Sequence, residues 1–309
     1  MTAETTSSAP PSDALAAVPP PQNLVRKFSA DFARSRVAVA ALAVFLLLIL
    51  AAIFAPWITP QDPYDLMQLD IMDGRLAPGS TGYGGMFYLL GTDDQGRDLL
   101  SGIIYGLRTS LLVGIGSALI AALIGTTLGL AAGYAGGRVE SLVMRLVDLQ
   151  LSIPTILTAL MILAVMGKGV ANVVLALVIV DWAIYARTTR ATALAEREQE
   201  YIEAARSLAL PWWRIMFRHL LPNCLPPLIV IAMIQIANAI ALEATLSFLG
   251  LGVPITEPSL GLLIANGYKY ILSGTYWIST FPGLVLLVLI VSINLVGDHV
   301  REILNPRNQ

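Results

Sequence analysis

Long uncharged, apolar runs alternate along the chain with shorter polar stretches. A helix rises 1.5 Å per residue and needs about 20 mostly apolar residues to cross the hydrocarbon of a bilayer. The pattern therefore predicts an all-α, polytopic membrane protein with six transmembrane helices. The six runs are residues 37–56, 109–137, 149–167, 169–186 (interrupted once, by Asp181), 224–241 and 275–297.

The composition agrees with this pattern and excludes several other classes of protein. Hydrophobic residues make up 56% of the 309 residues and charged residues only 13%, against about 25% charged residues in soluble domains. A mean hydropathy of +0.72 and a net charge of −2 exclude a disordered chain and leave no basic face for nucleic acid. One cysteine and two histidines cannot form an internal disulfide or a zinc cluster, so no metal site is expected.

The distribution of basic residues predicts the orientation in the membrane. If the N-terminus is inside, 14 Lys and Arg fall in inside segments and 5 in outside segments. The positive-inside rule then places both termini in the cytoplasm. We expect a disordered, proline-rich cytoplasmic tail at 1–24, a basic segment and first helix at 25–56, an extracytoplasmic segment at 57–108, a permease core at 109–297 and a cytoplasmic tail at 298–309.

The outside segment 57–108 contains seven Asp among clustered Gly and Pro. Such residues favour turns, so we expect a structured cap with few helices. A solvated loop is the alternative.

The inside segment 187–223 is rich in Ala, Leu, Glu and Arg, which are good helix formers. We expect one short helix ended or bent by Pro211, and a second running from Trp212 to Pro222 at the membrane. The first helix would have a face of small side chains with one charge, formed by Glu203, Ala204 and Ala205. Such a face can approach another protein closely and is suited to docking in a groove. The alternative is a hairpin lying on lipid headgroups, anchored by the basic residues Arg206, Arg214 and Arg218.

Small residues recur at every fourth position in the second apolar run. They lie on one stripe of a helix and predict close packing against another helix. The partner helix could belong to this chain or to another subunit. The stripe comprises Ser117, Ala121, Gly125, Gly129, Gly133 and Gly137.

Ionisable residues inside the apolar runs are few, chiefly Asp181 and, near a run's end, Glu243. They are functional candidates because charge is costly in hydrocarbon, although Asp181 could also be a buried acid bonded within the protein. No chain of acids or histidines could relay protons, which disfavours a proton-coupled transporter. A phosphate-binding loop is not present, because Gly167, Lys168 and Gly169 lack the upstream glycine and the downstream Ser or Thr that such a loop requires. The sequence also shows no catalytic arrangement of side chains. We therefore expect no ATPase or other enzyme activity in this chain.

Four sequence blocks together resemble the transmembrane subunits of binding-protein-dependent ABC importers, in particular the second permease of the dipeptide, oligopeptide and nickel group. The most specific block is 200–223, EYIEAARSLALPWWRIMFRHLLPN. It contains Glu203-Ala204-Ala205 and Leu221-Pro222 at the spacing of the family motif. Between them, Ala209 stands where the family usually has Gly, and His219 stands where it often has an apolar residue. The other blocks are 90–111, 243–253 and 293–307. The resemblance covers residues 25–307.

The resemblance implies a type I ABC importer permease fold in a bacterial inner membrane. It further implies that Glu203, Ala204, Ala205 and Ala209 belong to a coupling helix that inserts into a separate ATPase, while Leu221 and Pro222 fix where the chain re-enters the membrane. ATP and magnesium would bind to two partner ATPase subunits, and no cofactor to this chain. A second homologous permease, an extracytoplasmic solute-binding protein and membrane lipid complete the implied partners.

We therefore interpret the chain as forming half of an import pathway for di- or oligopeptides or a related small solute. Asp181, Glu243 and Ser247 are our candidates for the pathway and its outer gate. Gly102 and Leu260 depart from the residues common in the family, Arg and Trp, and leave the cargo open. A stand-alone secondary transporter or channel, and a structural subunit without solute flux, are the alternatives.

Overall fold

The computed structural model describes residues 24–304. The tail predicted at 1–24 lies outside this range except for Leu24. The last five residues of the 298–309 tail, which include the end of the 293–307 block, also lie outside it.

Within the described range the chain is a bundle of helices with one short hairpin. The helices are α1 (Leu24–Ala33), α2 (Arg36–Ile53), α3 (Ala55–Ile58), α4 (Leu99–Ala135), α5 (Gly137–Ser152), α6 (Thr155–Met166), α7 (Val170–Arg197), α8 (Glu200–Ser207), α9 (Trp212–Arg214), α10 (Leu221–Phe248), α11 (Leu260–Tyr268) and α12 (Trp277–Leu304). A π-helical turn, Ile215–Leu220, joins α9 to α10. Strands β1 (Ser80–Thr81) and β2 (Phe87–Tyr88) pair antiparallel.

Five helical runs are long and apolar enough to cross a bilayer: α2, α4, α7, the continuous run Trp212–Phe248 and α12. A sixth crossing requires α5 and α6 together, and these are bent by 91° at the break between them. Pro154 lies in this break, where its missing N–H cannot continue the α5 hydrogen-bond ladder. The predicted six crossings are therefore present only if the bent pair counts as one, and the run 149–167 does not form a single helix.

The helices extend beyond the apolar runs that predicted them. α4 begins at Leu99 instead of residue 109, because Asp98 caps it by accepting a hydrogen bond from the Ser101 amide at 2.7 Å. α7 continues to Arg197, so the first eleven residues of the predicted loop 187–223 belong to a spanning helix. Hydrophobicity marks the membrane-buried part of a helix and not its ends.

α4 and α10 form the centre of the bundle, since each contributes side chains to the three largest hydrophobic clusters. α4 starts after the 57–98 segment, and its last turn accepts hydrogen bonds from Arg197, beside α8. We call these two ends of the bundle the loop end and the α8 end.

The 57–98 segment at the loop end is held together by its buried acids. Asp73 accepts hydrogen bonds from the Tyr83 amide at 2.8 Å and the Tyr88 hydroxyl at 2.9 Å, which fixes the hairpin. Asp93 accepts bonds from the Gln95 and Arg97 amides at 2.8 and 2.9 Å. The segment is thus built around its aspartates, and beyond the end of α3 its helical content is two short 3-10 turns.

Candidate coupling helix and membrane pocket

α8 presents one face to the protein and another to its surroundings. Ile202 and Ala205 are buried in the cluster formed with α4, α7 and α10, while Glu203 and Ala204 are exposed. The sequence predicted both alanines on one exposed face, and this prediction is wrong for Ala205, which is buried. Adjacent residues of a helix point about 100° apart, because one turn takes 3.6 residues. The free face therefore carries Glu203 and Ala204.

The end of α8 is a Schellman motif centred on Ala209. The Leu210 amide donates to the Ala205 carbonyl at 3.2 Å, and the Ala209 amide donates to the Arg206 carbonyl at 2.9 Å. Ala209 itself has φ of +54°, in the left-handed region that favours glycine. The resemblance placed Ala209 within the coupling helix, whereas α8 ends at Ser207 and Ala209 follows it. The left-handed conformation is a physical reason for the glycine that is usual at this position in the resembling family.

A chain of hydrogen bonds ties α8 to its neighbours. The Tyr201 hydroxyl donates to Glu196 of α7 at 2.6 Å, and the Asn223 side-chain amide donates to the Tyr201 hydroxyl at 3.0 Å and to the His219 carbonyl at 2.8 Å. Burial, followed by the bond to the Glu196 carboxylate, raises the pKa of Tyr201 to about 12. Sequence reasoning missed these residues, because Tyr201 and Asn223 are 22 residues apart and no local pattern relates them.

Leu221 and Pro222 do not end a helix as the sequence suggested. The chain is helical from Trp212 through Pro222 to Phe248. Proline is tolerated here because it occupies the first turn of α10, directly after the π-helical turn. Leu221 packs against the cluster that buries Ala205. Two further prolines, Pro226 and Pro227, lie inside α10.

Three of the six basic residues between the fourth and fifth crossings bond α7 to its neighbouring helices. Arg190 bonds Glu140 of α5, with Nε to Oε1 at 2.9 Å. Arg187 pairs with Asp148 of α5, and Arg197 donates to the carbonyls of Gly133 and Tyr134 at the end of α4. The other three, Arg206, Arg214 and Arg218, are exposed.

The small-residue stripe on α4 packs inside this chain, against α7. A Cβ at Gly125 would lie 2.3 Å from the Trp182 carbonyl oxygen, and one at Gly129 would lie 2.3 Å from that of Ala186. At Gly133 a Cβ would meet that of Ala193 at 2.7 Å. Ser117 and Ala121 are fully buried on the same stripe. Gly137 is not a member, since α4 ends at Ala135.

Glu243 and Ser247 lie together in the interior, near the loop end. Glu243 is fully buried and accepts hydrogen bonds from Ser110 of α4 and Ser247 of α10, both at 2.8 Å. A Cβ at Gly252 would lie 2.1 Å from the Ser247 hydroxyl oxygen, so the following loop packs directly on this pair. The cluster joins α4, α10 and that loop.

Asp181 lies elsewhere, in a pocket of about 320 Å³ between α6, α7 and α10. The structure therefore separates Asp181 from Glu243 and Ser247, which do not line this pocket. The lining residues are Thr155, Asp181, Ile184, Gln235, Asn238, Ala241, Leu242 and Thr245. A role in translocation stays a prediction for all three candidates. Among residues 24–304 no three His, Cys, Asp or Glu side chains are placed to hold a metal ion.

Comparisons with known proteins agree with this architecture. The family described as the binding-protein-dependent transport system inner membrane component matches residues 125–309, and the N-terminal TM domain of oligopeptide transport permease C matches residues 23–78. The di/tripeptide transport system permease protein DppC of Pseudomonas aeruginosa is 40% identical over 97% of each chain. The dipeptide transport system permease protein DppC of Escherichia coli K12 is 42% identical over 94% of this chain and 95% of its own.

A solved structure shares the fold at lower sequence similarity. A chain of the inward-facing MetNI methionine ABC transporter superposes with a TM-score of 0.55 at 20% identity, covering 67% of this chain and 98% of its own.

The fold and its apolar spans define a multi-pass α-helical membrane protein. The chain belongs to the family of binding-protein-dependent transport system inner membrane components, and is a transmembrane permease subunit of an ATP-driven importer. Family membership confirms the resemblance and favours this function over a stand-alone secondary transporter or channel.

Proposed function

We propose that the chain imports dipeptides or related short peptides, as half of a pathway completed by a second homologous permease. Two cytoplasmic ATPase subunits and an extracytoplasmic solute-binding protein work with it. ATP and magnesium bind to the ATPases, and this chain contributes no ATPase site and no cofactor. Both termini lie in the cytoplasm, which puts α8 on the side of the ATPases. The names of the relatives from P. aeruginosa and E. coli support the peptide cargo.

In this proposal α8 is the coupling helix. The observation that carries it is the division of α8 into a buried face, Ile202 and Ala205, and an exposed face with Glu203 and Ala204. The buried face and the Tyr201 bonds fix α8 to α7 and α10. A partner that moves the exposed face therefore moves the spanning helices as well, which is what coupling requires.

The test is Glu203→Lys, with ATP-dependent dipeptide uptake measured in cells that lack the native subunit. We expect the variant to insert normally, because Glu203 is exposed on the surface of α8. Uptake should fall at least tenfold, because the reversed charge meets the docking groove of the ATPase. ATPase stimulation by the loaded binding protein should fall in parallel.

Glu198→Lys is the matched control, since Glu198 is also exposed but directly follows α7, outside α8, where it makes a long contact of 3.6 Å with the neighbouring Arg197. Normal uptake and normal ATPase stimulation in Glu203→Lys would contradict the assignment of α8. A wild-type complex that carries no solute at all would instead favour a structural subunit.

A further inference from the structure

The pocket around Asp181 has the composition of a recognition site. Gln235, Asn238, Leu242 and Thr245 follow one another at helical spacing, so they share one face of α10. Thr155 of α6 and Asp181 of α7 complete the polar part of the lining. This pocket thus collects carboxylate, amide and hydroxyl groups within the membrane-spanning part of the bundle.

Asp181 has no partner that would explain its presence there. It is 5% exposed, and its Oδ2 has no hydrogen-bond partner among the described residues. No Lys, Arg or His of residues 28–304 forms an ion pair with it. It lies about 16 Å along α7 from Val170, at 1.5 Å per residue, far from either end of the helix. An acid in such a position is costly unless a cation or a proton neutralises it.

The neighbouring amides offer one donor and one acceptor. The Asn238 Nδ2 donates to the Gln235 Oε1 at 3.0 Å. The Gln235 Nε2 and the Asn238 Oδ1 are left without a partner among the described residues. A peptide group presents one N–H and one C=O, which matches this pair.

The exposed residues of the same face indicate that the pocket opens on a polar space. Asn238 and Thr245 are exposed on the outside of this chain, within a helix that crosses the membrane. Exposing an amide to hydrocarbon costs several kcal/mol, about 2–7 for an unpaired polar group. This face of α10 therefore borders a partner subunit or the solute pathway, and not lipid.

We propose that this pocket binds the N-terminal ammonium group of a peptide in transit, with Asp181 as its counter-ion and Gln235 and Asn238 bonding the adjacent peptide group. The proposal rests on the peptide cargo proposed above. One carboxylate matches one ammonium group in charge, whereas a divalent cation such as Ca²⁺ requires six to eight oxygen ligands. A volume of about 320 Å³ admits the end of a peptide and its first side chain.

The test compares two probes on the assembled membrane complex of both permeases and both ATPases, without the binding protein. Alanyl-alanine carries the ammonium group, and N-acetyl-alanyl-alanine lacks it. We expect the wild type to bind the free dipeptide about tenfold or more tightly, since a hydrogen bond to a charged group is worth about that much. Asp181→Asn should remove the preference, and Asp181→Glu should retain it.

Asp148→Asn is the matched control, because Asp148 is an exposed acid that pairs with Arg187 outside the pocket. It should leave the preference unchanged. Equal binding of the two probes by the wild type would overturn the proposal, and this result needs no variant to fold. Retention of the preference in Asp181→Asn would overturn it too, and would identify Asp181 as a protonated structural acid.

Dipeptide uptake by the wild-type complex with its binding protein separates the two proposals. Normal ATP-driven uptake combined with equal binding of the probes refutes the ammonium site alone. An absence of uptake refutes the peptide-import function.

Discussion

Ala209 combines a left-handed backbone with a side chain that opposes it. The conformation is imposed by the two Schellman bonds and by Leu210, which packs against the cluster that contains Ala205. For a residue with a Cβ, this conformation is about 1–2 kcal/mol less stable than the right-handed one, whereas glycine adopts it without that penalty. The end of α8 therefore carries local strain at a position where the chain can be improved.

Ala209→Gly should stabilise α8, by up to about 1 kcal/mol once the greater freedom of glycine in the unfolded chain is subtracted. Hydrogen exchange of the α8 amides in the purified complex measures this, with slower exchange expected. Ala204→Gly is the opposite case, because Ala204 is exposed in the middle of α8. It should speed exchange, at a cost of about 1 kcal/mol. Faster exchange in both variants would refute the strain at Ala209.

Asp93 should make the stability of the protein depend on pH through the segment at the loop end. Burial raises the pKa of Asp93 from 3.8 to about 6, against the opposing effect of hydrogen bonds from the Arg97 and Gln95 amides. The native chain then binds a proton more tightly than the unfolded chain. Between about pH 4 and pH 6 the free energy of unfolding should therefore fall as the pH rises.

Thermal unfolding at pH 5 and pH 7 checks this dependence. The wild type should lose more stability than Asp93→Asn over that interval, because other groups titrate equally in both proteins. Asp62→Asn serves as the control, since Asp62 accepts its hydrogen bond at the surface of the same segment and should keep the wild-type difference. Identical pH profiles for wild type and Asp93→Asn would contradict the assignment.

At the scale of elements, the contact between α4 and α7 depends on bare glycines. Gly125→Ala would place a methyl group 2.3 Å from the Trp182 carbonyl oxygen and 2.6 Å from the Tyr185 Cβ. Both neighbours belong to the helix backbone or its first side-chain atom, so neither can rotate away. We expect a loss of about 1–3 kcal/mol, the usual cost of overpacking.

Gly116→Ala on the same helix separates packing from helix propensity. A Cβ there meets no atom within 4 Å, so the change should stabilise α4 by up to about 1 kcal/mol. Thermal unfolding of the two variants should move in opposite directions. A shift of the same sign in both would argue against α7 as the partner of the stripe.

At the scale of the whole molecule, the apolar runs predicted the class of fold, and the six crossings that they predicted are reached only when α5 and α6 count as one. They failed at the helix ends, because α4, capped by Asp98, begins ten residues before its apolar run, and α7 continues through its arginines to Arg197. They also failed at the bend between α5 and α6, although Pro154 was a visible signal. The hydrophobicity of a segment predicts that it contacts lipid, but it does not predict at which residue the helical hydrogen bonds end.

The site was predictable only where its residues are close in sequence. Glu203 was identified from its local motif and is exposed, as docking requires. The contact of Tyr201 with Asn223, and the grouping of Asp181 with Gln235, depend on how separate helices pack. No periodicity in one helix encodes those distances.

The two prolines inside α10 give the molecule a fulcrum, that is, a point about which this helix can bend. Pro226 and Pro227 each lack a backbone N–H, so α10 bends more easily there than elsewhere. Asn223, bonded to α8, lies on one side of this point, and Asn238, in the pocket, lies on the other, about 16 Å beyond Pro227. A change of about 15° at the fulcrum would move Asn238 by about 4 Å, which exceeds the length of a hydrogen bond. If α8 is the coupling helix proposed above, a small rotation transmitted through it would move Gln235 and Asn238 together, relative to Asp181 of α7, by about the length of a hydrogen bond.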